Sequence, residues 1–303
     1  MAIIEKKAVG GTCALWGCVP KKVLISGEEL ANFNQRMAAA GLSSKTTPDW
    51  SELMAFKQRL TGSFSQDHRS SLQKHGIDIY EGTASFVGKT AIRVGEVFLQ
   101  STYIHIATGA CPRPLKIPGE EFMTTSSEFL YLAELPQRLV FIGGGYISFE
   151  FAHLAARYGR KVTIIHRSAE VLKKFDPDLV ALLVKASEIL GITVAINQPL
   201  VRIEKKKDEL LVIVQADGDE KEYRADMVIH GAGRVPDIAD LNLKAAGIEG
   251  SQDGVVVNEY LQSISNPRVY AAGDVAAGGL PLTPVAMVEG KVAADNLING
   301  SKR

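Results

Sequence analysis

Apolar positions along the chain change period, and each change marks a different kind of element. A short apolar run, Ala2 to Glu5, ends in an acid. Helical spacing follows and predicts two long helices, Lys21 to Ala40 and Asp49 to His75. The period then drops to two over Ile77–Tyr80, Thr83–Phe86, Thr90–Val94 and Val97–Gln100, with glycine or charged turns between them, which predicts an antiparallel meander. Tyr103–Ala107 reads as a buried strand running into Thr108-Gly109. From Leu139 the texture is strand, glycine turn, helix, strand: Leu139–Ile142, Tyr146–Tyr158, Val162–Ile165, Leu179–Leu190 and Thr193–Ile196. That is the pattern of a βαβαβ nucleotide-binding unit. Hairpin-like strands follow at Leu200–Glu204, Leu210–Gln215 and Lys221–Arg224, then an apolar strand Met227–Ile229. A last strand, Val269–Ala272, and a helix, Thr283–Asn299, close the pattern.

Composition narrows the class of protein without changing this picture. The 303 residues are 46% hydrophobic and 22% charged, an ordinary globular balance with room for two domains. Thirty-four basic residues against thirty-four acidic ones leave no net charge, so small molecules are expected as partners rather than nucleic acid or a membrane. The apolar stretch Leu139–Ala156 is interrupted by Glu150 and His153, and no charged region followed by an apolar core opens the chain; a cytoplasmic protein is expected. Lys205-Lys206-Lys207 reads as a solvated turn, and Asn299-Gly300-Ser301 as a chance match to a glycosylation acceptor.

Candidate chemistry begins with Cys13 and Cys18, in Gly10-Gly11-Thr12-Cys13-Ala14-Leu15-Trp16-Gly17-Cys18-Val19-Pro20-Lys21-Lys22. Three cysteines are too few for a secreted disulfide scaffold. A regular helix rises about 7.5 Å over five residues, beyond the usual Cα separation of a disulfide, so a bridge here needs a curled turn. Gly10, Gly11 and Gly17 permit one, and Pro20 fixes φ early in the following helix. Cys18 then lies near a helix start, where exposed N–H groups, with Lys21 and Lys22 close by, favour a thiolate. On spacing alone, two separate buried thiols and a redox pair both stay open.

Gly143-Gly144-Gly145-Tyr146-Ile147-Ser148 lies between an apolar strand and a helix, where backbone N–H groups and the helix dipole make a cradle for a pyrophosphate. At the end of the next strand, where an acid grips the ribose of NAD, stand His166-Arg167-Ser168, with Lys173 beyond. Cations there favour a 2′-phosphate, so NADP is expected ahead of NAD.

The segment GGTCxxxGCVPKK resembles the redox-active segment of the flavin-dependent pyridine nucleotide disulfide oxidoreductases, the family of glutathione reductase and dihydrolipoyl dehydrogenase. Further segments resemble the same family in the same order: Ile106-Ala107-Thr108-Gly109-Ala110, Gly143-Gly144-Gly145-Tyr146-Ile147 with Glu150, Gly233-Arg234-Val235-Pro236, Ala271-Ala272-Gly273-Asp274, and Leu282-Thr283-Pro284. The resemblance implies an α/β fold of two Rossmann-like domains, with an NAD(P)-binding domain (137–235) inserted in an FAD-binding domain (1–136 and 236–303). It implies a redox disulfide Cys13–Cys18, with Cys18 nearer the flavin and Cys13 attacking the substrate disulfide. Lys21 and Glu150 would pair beside the flavin, and Tyr146 would gate the nicotinamide pocket. FAD would be held by Glu5, Gly11, Thr12, Cys13, Lys21, Ala84, Thr108, Gly233, Asp274 and Thr283. The nicotinamide nucleotide would be held by Gly143, Gly144, Gly145, Tyr146, Ile147, Glu150, Arg167 and Lys173. Cys111 is expected to be a plain thiol, and no metal is expected.

Two family segments have no counterpart: the strand and GxGxxG turn that precede the ribose-binding acid matched by Glu5, and the later interface domain with its HPxxE histidine. No histidine here is followed by proline. The sequence therefore reads as a family member short at both ends, with an open sheet edge where the first strand is missing. A homodimer is expected only with the interface domain. Within the family, a mercuric reductase would need further C-terminal cysteines and a small-type thioredoxin reductase would carry its cysteines in the nicotinamide domain. The basic residues at the nucleotide site tilt the expectation to a glutathione-reductase-like enzyme passing electrons from NADPH through FAD to the cysteine pair and on to a small disulfide. Two alternatives stay open: a non-catalytic NAD(P)-binding module and an inert fragment.

Overall fold

The computed structural model describes residues 1–38, 40–41 and 49–300; Ala39 of the first helical pattern and Ser301 of the glycosylation match lie outside them. The chain forms two compact units, one of residues 1–10, 65–111 and 234–303, the other of residues 11–64 and 112–233. The helices are α1 (Cys18–Ala38), α2 (Trp50–Thr61), α3 (Phe64–Lys74), α4 (Ser126–Phe129), α5 (Tyr146–Arg157), α6 (Pro177–Ile189) and α7 (Thr283–Asn299).

The unit of residues 11–64 and 112–233 is built on a five-stranded parallel sheet in the order Thr193–Ala195, Lys161–Ile165, Arg138–Ile142, Met227–His230, Met123–Thr125. Its central strands read as unbroken apolar runs because both faces are covered. On one face, Leu139, Phe141 and Ile164 pack with Leu24 of α1, Trp50 of α2, Phe129 of α4 and Leu154 of α5. On the other, Val140, Ile142, Ile165 and Val228 pack against Ile203, Val212 and Val214 of a three-stranded antiparallel sheet. Helix starts are set locally. Asp49 accepts from the Glu52 N–H at the head of α2, Thr125 and Glu128 form a reciprocal capping box on α4, and Asp176 with Pro177 opens α6.

In the other unit, Ala2–Glu5 pairs in parallel with Asp78–Glu81, and Ile104–Ile106 with Val269–Ala271. Ala84–Gly88, Ala91–Val94 and Val97–Gln100 form an antiparallel meander. Phe86, Ile104, Ile106, Val255, Val269 and Val275 share its main core.

Three local expectations differ. The pattern from Asp49 to His75 is two helices, because α2 ends at Thr61 and the Gly62 N–H closes on the Gln58 carbonyl at 2.8 Å. A Cβ at Gly62 would stand 2.7 Å from that oxygen, so the turn is too tight for a side chain. The segment expected at Ile77–Tyr80 leaves the meander and pairs with the N-terminal strand, since alternation encodes a buried face and not a partner. Finally, α1 begins at Cys18 rather than Lys21, which puts Pro20 inside the first turn, where its missing N–H costs nothing.

Candidate active site

The curled turn expected around the cysteines is a π-helical coil over Thr12–Trp16 that gives way at Gly17 to α1, whose first residue is Cys18. An i→i+5 coil stacks residues five apart, the spacing of Cys13 and Cys18. Gly11 enters at φ 72°, and a Cβ on Gly17 would lie 3.1 Å from the Thr12 carbonyl oxygen, so glycine is favoured on both sides. Both cysteines are half-buried. The coil is held from outside by Tyr131, whose hydroxyl donates to the Leu15 carbonyl at 2.9 Å and whose ring packs on Trp16 with centroids 5.3 Å apart.

The first turns of α1 and α5 are tied by one contact: Lys21 Nζ donates to Glu150 Oε1 at 2.7 Å across 129 residues of sequence. Tyr146, at the first position of α5, is 51% exposed at the rim of an apolar cavity of about 340 Å³ whose walls include Ile25, Phe149, Leu172 and Phe175. Glu28 and His153 also line this cavity. Glu28 is paired with Arg157, yet burial pushes its carboxyl up from the ordinary value; burial and the Arg157 charge push the His153 imidazole down.

The glycine turn is tightly built. Gly143 has φ 105°, and its Cβ would fall 2.4 Å from the Gly231 carbonyl; a Cβ on Gly144 would meet Val171 at 2.5 Å. Gly145 caps α5 without a side-chain hydrogen bond, leaving the first amides of the helix for a ligand. The Ser148 hydroxyl, in the same first turn, is fully buried with no hydrogen-bond partner among the described residues and sits against Gly231. These features fit a pyrophosphate at this turn. Arg167 and Lys173 are exposed and carry no ion pair among the described residues, which suits a further anion.

His166 behaves differently from its cationic neighbours. Its Nδ1 accepts the Gly144 N–H at 3.0 Å, and its Nε2 lies 2.9 Å from Ser168 Oγ, so the ring is neutral with its proton on Nε2. Burial, with the Arg167 and Lys173 charges, holds its pKa below the ordinary value. A histidine that closes the glycine turn is not visible in the motif. His166 standing directly after the strand, in reach of the turn, was the available signal.

The remaining residues expected to hold the flavin lie in the unit of residues 1–10, 65–111 and 234–303, Gly233 excepted. Glu5 ends its strand and accepts the Lys7 N–H at 2.9 Å. Ala84 opens the meander, and Thr108 is exposed just after the strand Ile104–Ile106. The Asp274 carboxylate is half-buried in the turn Gly273–Val275 and accepts no hydrogen bond among the described residues. Thr283 starts α7, which has no side-chain cap at Leu282. An uncommitted carboxylate beside an open helix start fits a polyhydroxyl chain and a carbonyl-bearing ring. Gly233 bonds back to Arg113 through its carbonyl at 3.0 Å. Cys111 is half-buried near Lys6, Asp237 and Arg234; burial pushes its thiol up, consistent with a plain thiol. Among the described residues no cluster of side chains could hold a metal, and no helix is long and apolar enough to cross a membrane.

The family model for pyridine nucleotide-disulphide oxidoreductases matches residues 1–290. The chain is 34% identical to a mercuric reductase from Staphylococcus aureus, over all of this chain and 56% of that protein. It is 32% identical to a glutathione reductase from a Nostoc species, over all of this chain and 68% of that protein. A structure of the HOCl-induced flavoprotein disulfide reductase RclA from Escherichia coli, in its Cu(II) complex, superposes with a TM-score of 0.86 at 27% identity and covers all of this chain and 66% of that one. The chain thus spans 56% to 68% of the length of these three proteins.

Proposed function

This chain belongs to the pyridine nucleotide-disulphide oxidoreductase family, and we propose that it carries the electron-transfer core of an NADPH-dependent flavoprotein disulfide reductase with a glutathione-reductase-like small disulfide as substrate. The contact that supports this reading best is the 2.7 Å bond from Lys21 to Glu150, which links the helix bearing Cys18 to the helix that opens on the nucleotide turn. In this reading residues 1–136 and 236–303 form the FAD-binding domain and 137–235 the NAD(P)-binding domain. When bound, the two cofactors supply a hydride donor and a carrier of its electron pair.

The chain's own residues do the rest. Amides at the head of α5 bind the pyrophosphate, and Arg167 and Lys173 take the 2′-phosphate and so favour NADP over NAD. Tyr146 covers the nicotinamide pocket, and Glu150 holds the Lys21 ammonium. Asp274, Thr283, Glu5 and Thr12 hold the flavin nucleotide. Two electrons and two protons convert the Cys13–Cys18 disulfide to two thiols. The Cys13 thiolate then attacks one sulfur of the substrate disulfide and expels the other half as a thiol; Cys18 resolves the mixed disulfide, releasing the second half and restoring the bridge. With its balanced charge, a cytoplasmic setting and a small-molecule partner complete the proposal.

Anaerobic mixing of the purified, FAD-supplemented chain with NADPH tests it: the flavin absorption bleaches and two new thiols per chain, at Cys13 and Cys18, become trappable. NADH acts more slowly. Binding of NADPH with neither bleaching nor new thiols would instead identify a nucleotide-binding module, its site within residues 137–235.

A further inference from the structure

Three helices enclose the apolar cavity of about 340 Å³: α1 through Ile25 and Glu28, α5 through Phe149 and His153, and α6 through Val180 and Leu183. Sites for small molecules have this size and this apolar lining, with a few polar groups that orient the occupant. Phe175 and Leu179, also in the walls, are 57% and 66% exposed, so apolar surface lies open to solvent where an occupant would cover it.

The polar groups at one end of this cavity all accept. Ser187 Oγ donates to the Leu183 carbonyl at 2.7 Å, so toward His153 Nε2, 2.8 Å away, it can only accept, and the neutral ring carries its proton on Nε2. His153 Nδ1 is therefore a bare lone pair, and among the described residues no donor meets it. Burial and the Arg157 charge, which hold the imidazole pKa down, keep it neutral. Glu28 is 8% exposed and pairs with Arg157 through Oε1; no hydrogen bond reaches its Oε2 among the described residues. Arg157 stands one turn beyond His153 on α5 and holds Glu28, which sets carboxylate and imidazole at the same end. Tyr146 lies at the other end, seven residues back along α5, about 10 Å away.

We propose that this cavity is a binding site for flat aromatic molecules carrying an amidine-like edge of N–H donors, with the body between Phe149, Val180 and Leu183 and the edge bonded to Glu28 Oε2 and His153 Nδ1. Two acceptors, one of them anionic, select a donor edge and reject a ligand that brings only lone pairs of its own. The proposal needs no flavin, nucleotide or cysteine chemistry, so it stands or falls apart from the redox reading.

The test is isothermal titration of the full chain with 2-aminoquinoline, whose protonated ring nitrogen and amino group form such an edge, and with 2-methylquinoline, which has the same shape without it. Saturable binding of one molecule per chain is expected, with 2-aminoquinoline roughly tenfold tighter or more, the scale of one to two net hydrogen bonds with a charged partner among them. His153→Phe and Glu28→Gln each remove one feature of the acceptor pair and are expected to cut that preference about fivefold. Binding of 2-methylquinoline stays within about twofold of the parent in both, which shows that each variant is folded with its cavity intact. One variant for each acceptor keeps the test decisive if the other fails to fold. Leu183→Trp fills the cavity and removes binding of both quinolines, whereas Leu182→Trp, at a neighbouring position that is 64% exposed and outside the walls, leaves both unchanged. Equal affinity of the parent for the two quinolines, no saturable binding of either, or a preference that survives both acceptor variants overturns the proposal.

Discussion

The two units use parallel strands in contrasting ways. Residues 11–64 and 112–233 build one continuous five-stranded sheet with a separate core on each face. Residues 1–10, 65–111 and 234–303 hold their parallel strands as two separate pairs, with a smaller main core and a helix, α7, that presents Met287, Val288 and Ile298 to solvent. Hydrophobic stabilisation scales with apolar area removed from water, so the nucleotide unit is the better provided of the two. The lesson concerns function as much as stability. The ion pair, glycine turn and cysteine coil all sit on the well-covered sheet, whereas Asp274 and Thr283 sit in the unit with the thinner core.

The sharpest way to break that comparison is to empty the better core. Phe129 is fully buried and stacks on Phe151 with centroids 4.6 Å apart. Phe129→Ala is expected to cost about 3–5 kcal/mol and to speed hydrogen exchange in the strands Arg138–Ile142 and Met227–His230 while leaving Ile104–Ile106 and Val269–Ala271 unchanged. Equal acceleration in both units would show that the contrast has no energetic content.

A smaller effect comes from the glycine turn. Gly143→Ala places a methyl group 2.4 Å from the Gly231 carbonyl at a backbone angle that L-residues avoid. Strain of this kind costs roughly 1–3 kcal/mol, and isothermal titration is expected to show at least tenfold weaker NADPH binding. Unchanged affinity would mean that the close approach of residues 143 and 231 does not shape the site.

Much of this layout was legible beforehand, and the failures have a common cause. The last helix matches its expected span, Thr283–Asn299, and the βαβαβ elements lie within two residues of their expected limits, because buried parallel strands and amphipathic helices write strong local periods. The Lys21–Glu150 pair came from a family resemblance, since no local pattern links positions 129 residues apart. Lys57 lies in a helical pattern where a lysine ordinarily reads as solvated; only the Tyr131 ring beside it reveals a buried charge. Substrate choice is illegible for another reason. Relatives named mercuric reductase, glutathione reductase, trypanothione reductase and dihydrolipoyl dehydrogenase all match this span at 30–34% identity, so the shared residues do not distinguish their substrates.

The mildest prediction sharpens the comparison within the nucleotide unit itself, by asking whether its turn depends on the charge state of one imidazole. His166 can accept the Gly144 N–H only while Nδ1 is unprotonated, and burial with the Arg167 and Lys173 charges keeps it so. A histidine whose folded pKa is depressed imposes no penalty above its ordinary value near 6.5. As pH falls through that value the unfolded chain takes up a proton that the folded chain refuses, and stability declines until the folded pKa is reached. His153, depressed by burial and Arg157, adds to the same trend; Glu28, raised by burial, opposes it, because the folded chain takes up that proton first. The contribution of His166 is therefore read as a difference against His166→Asn, whose amide oxygen can still accept from Gly144 but does not titrate. Between pH 7.5 and 5.5 the parent is expected to lose roughly 1 kcal/mol more unfolding stability than the variant. Parallel stability curves would show that the imidazole is a passive spacer, and that the glycine turn owes its shape to the Gly231 and Val171 contacts alone.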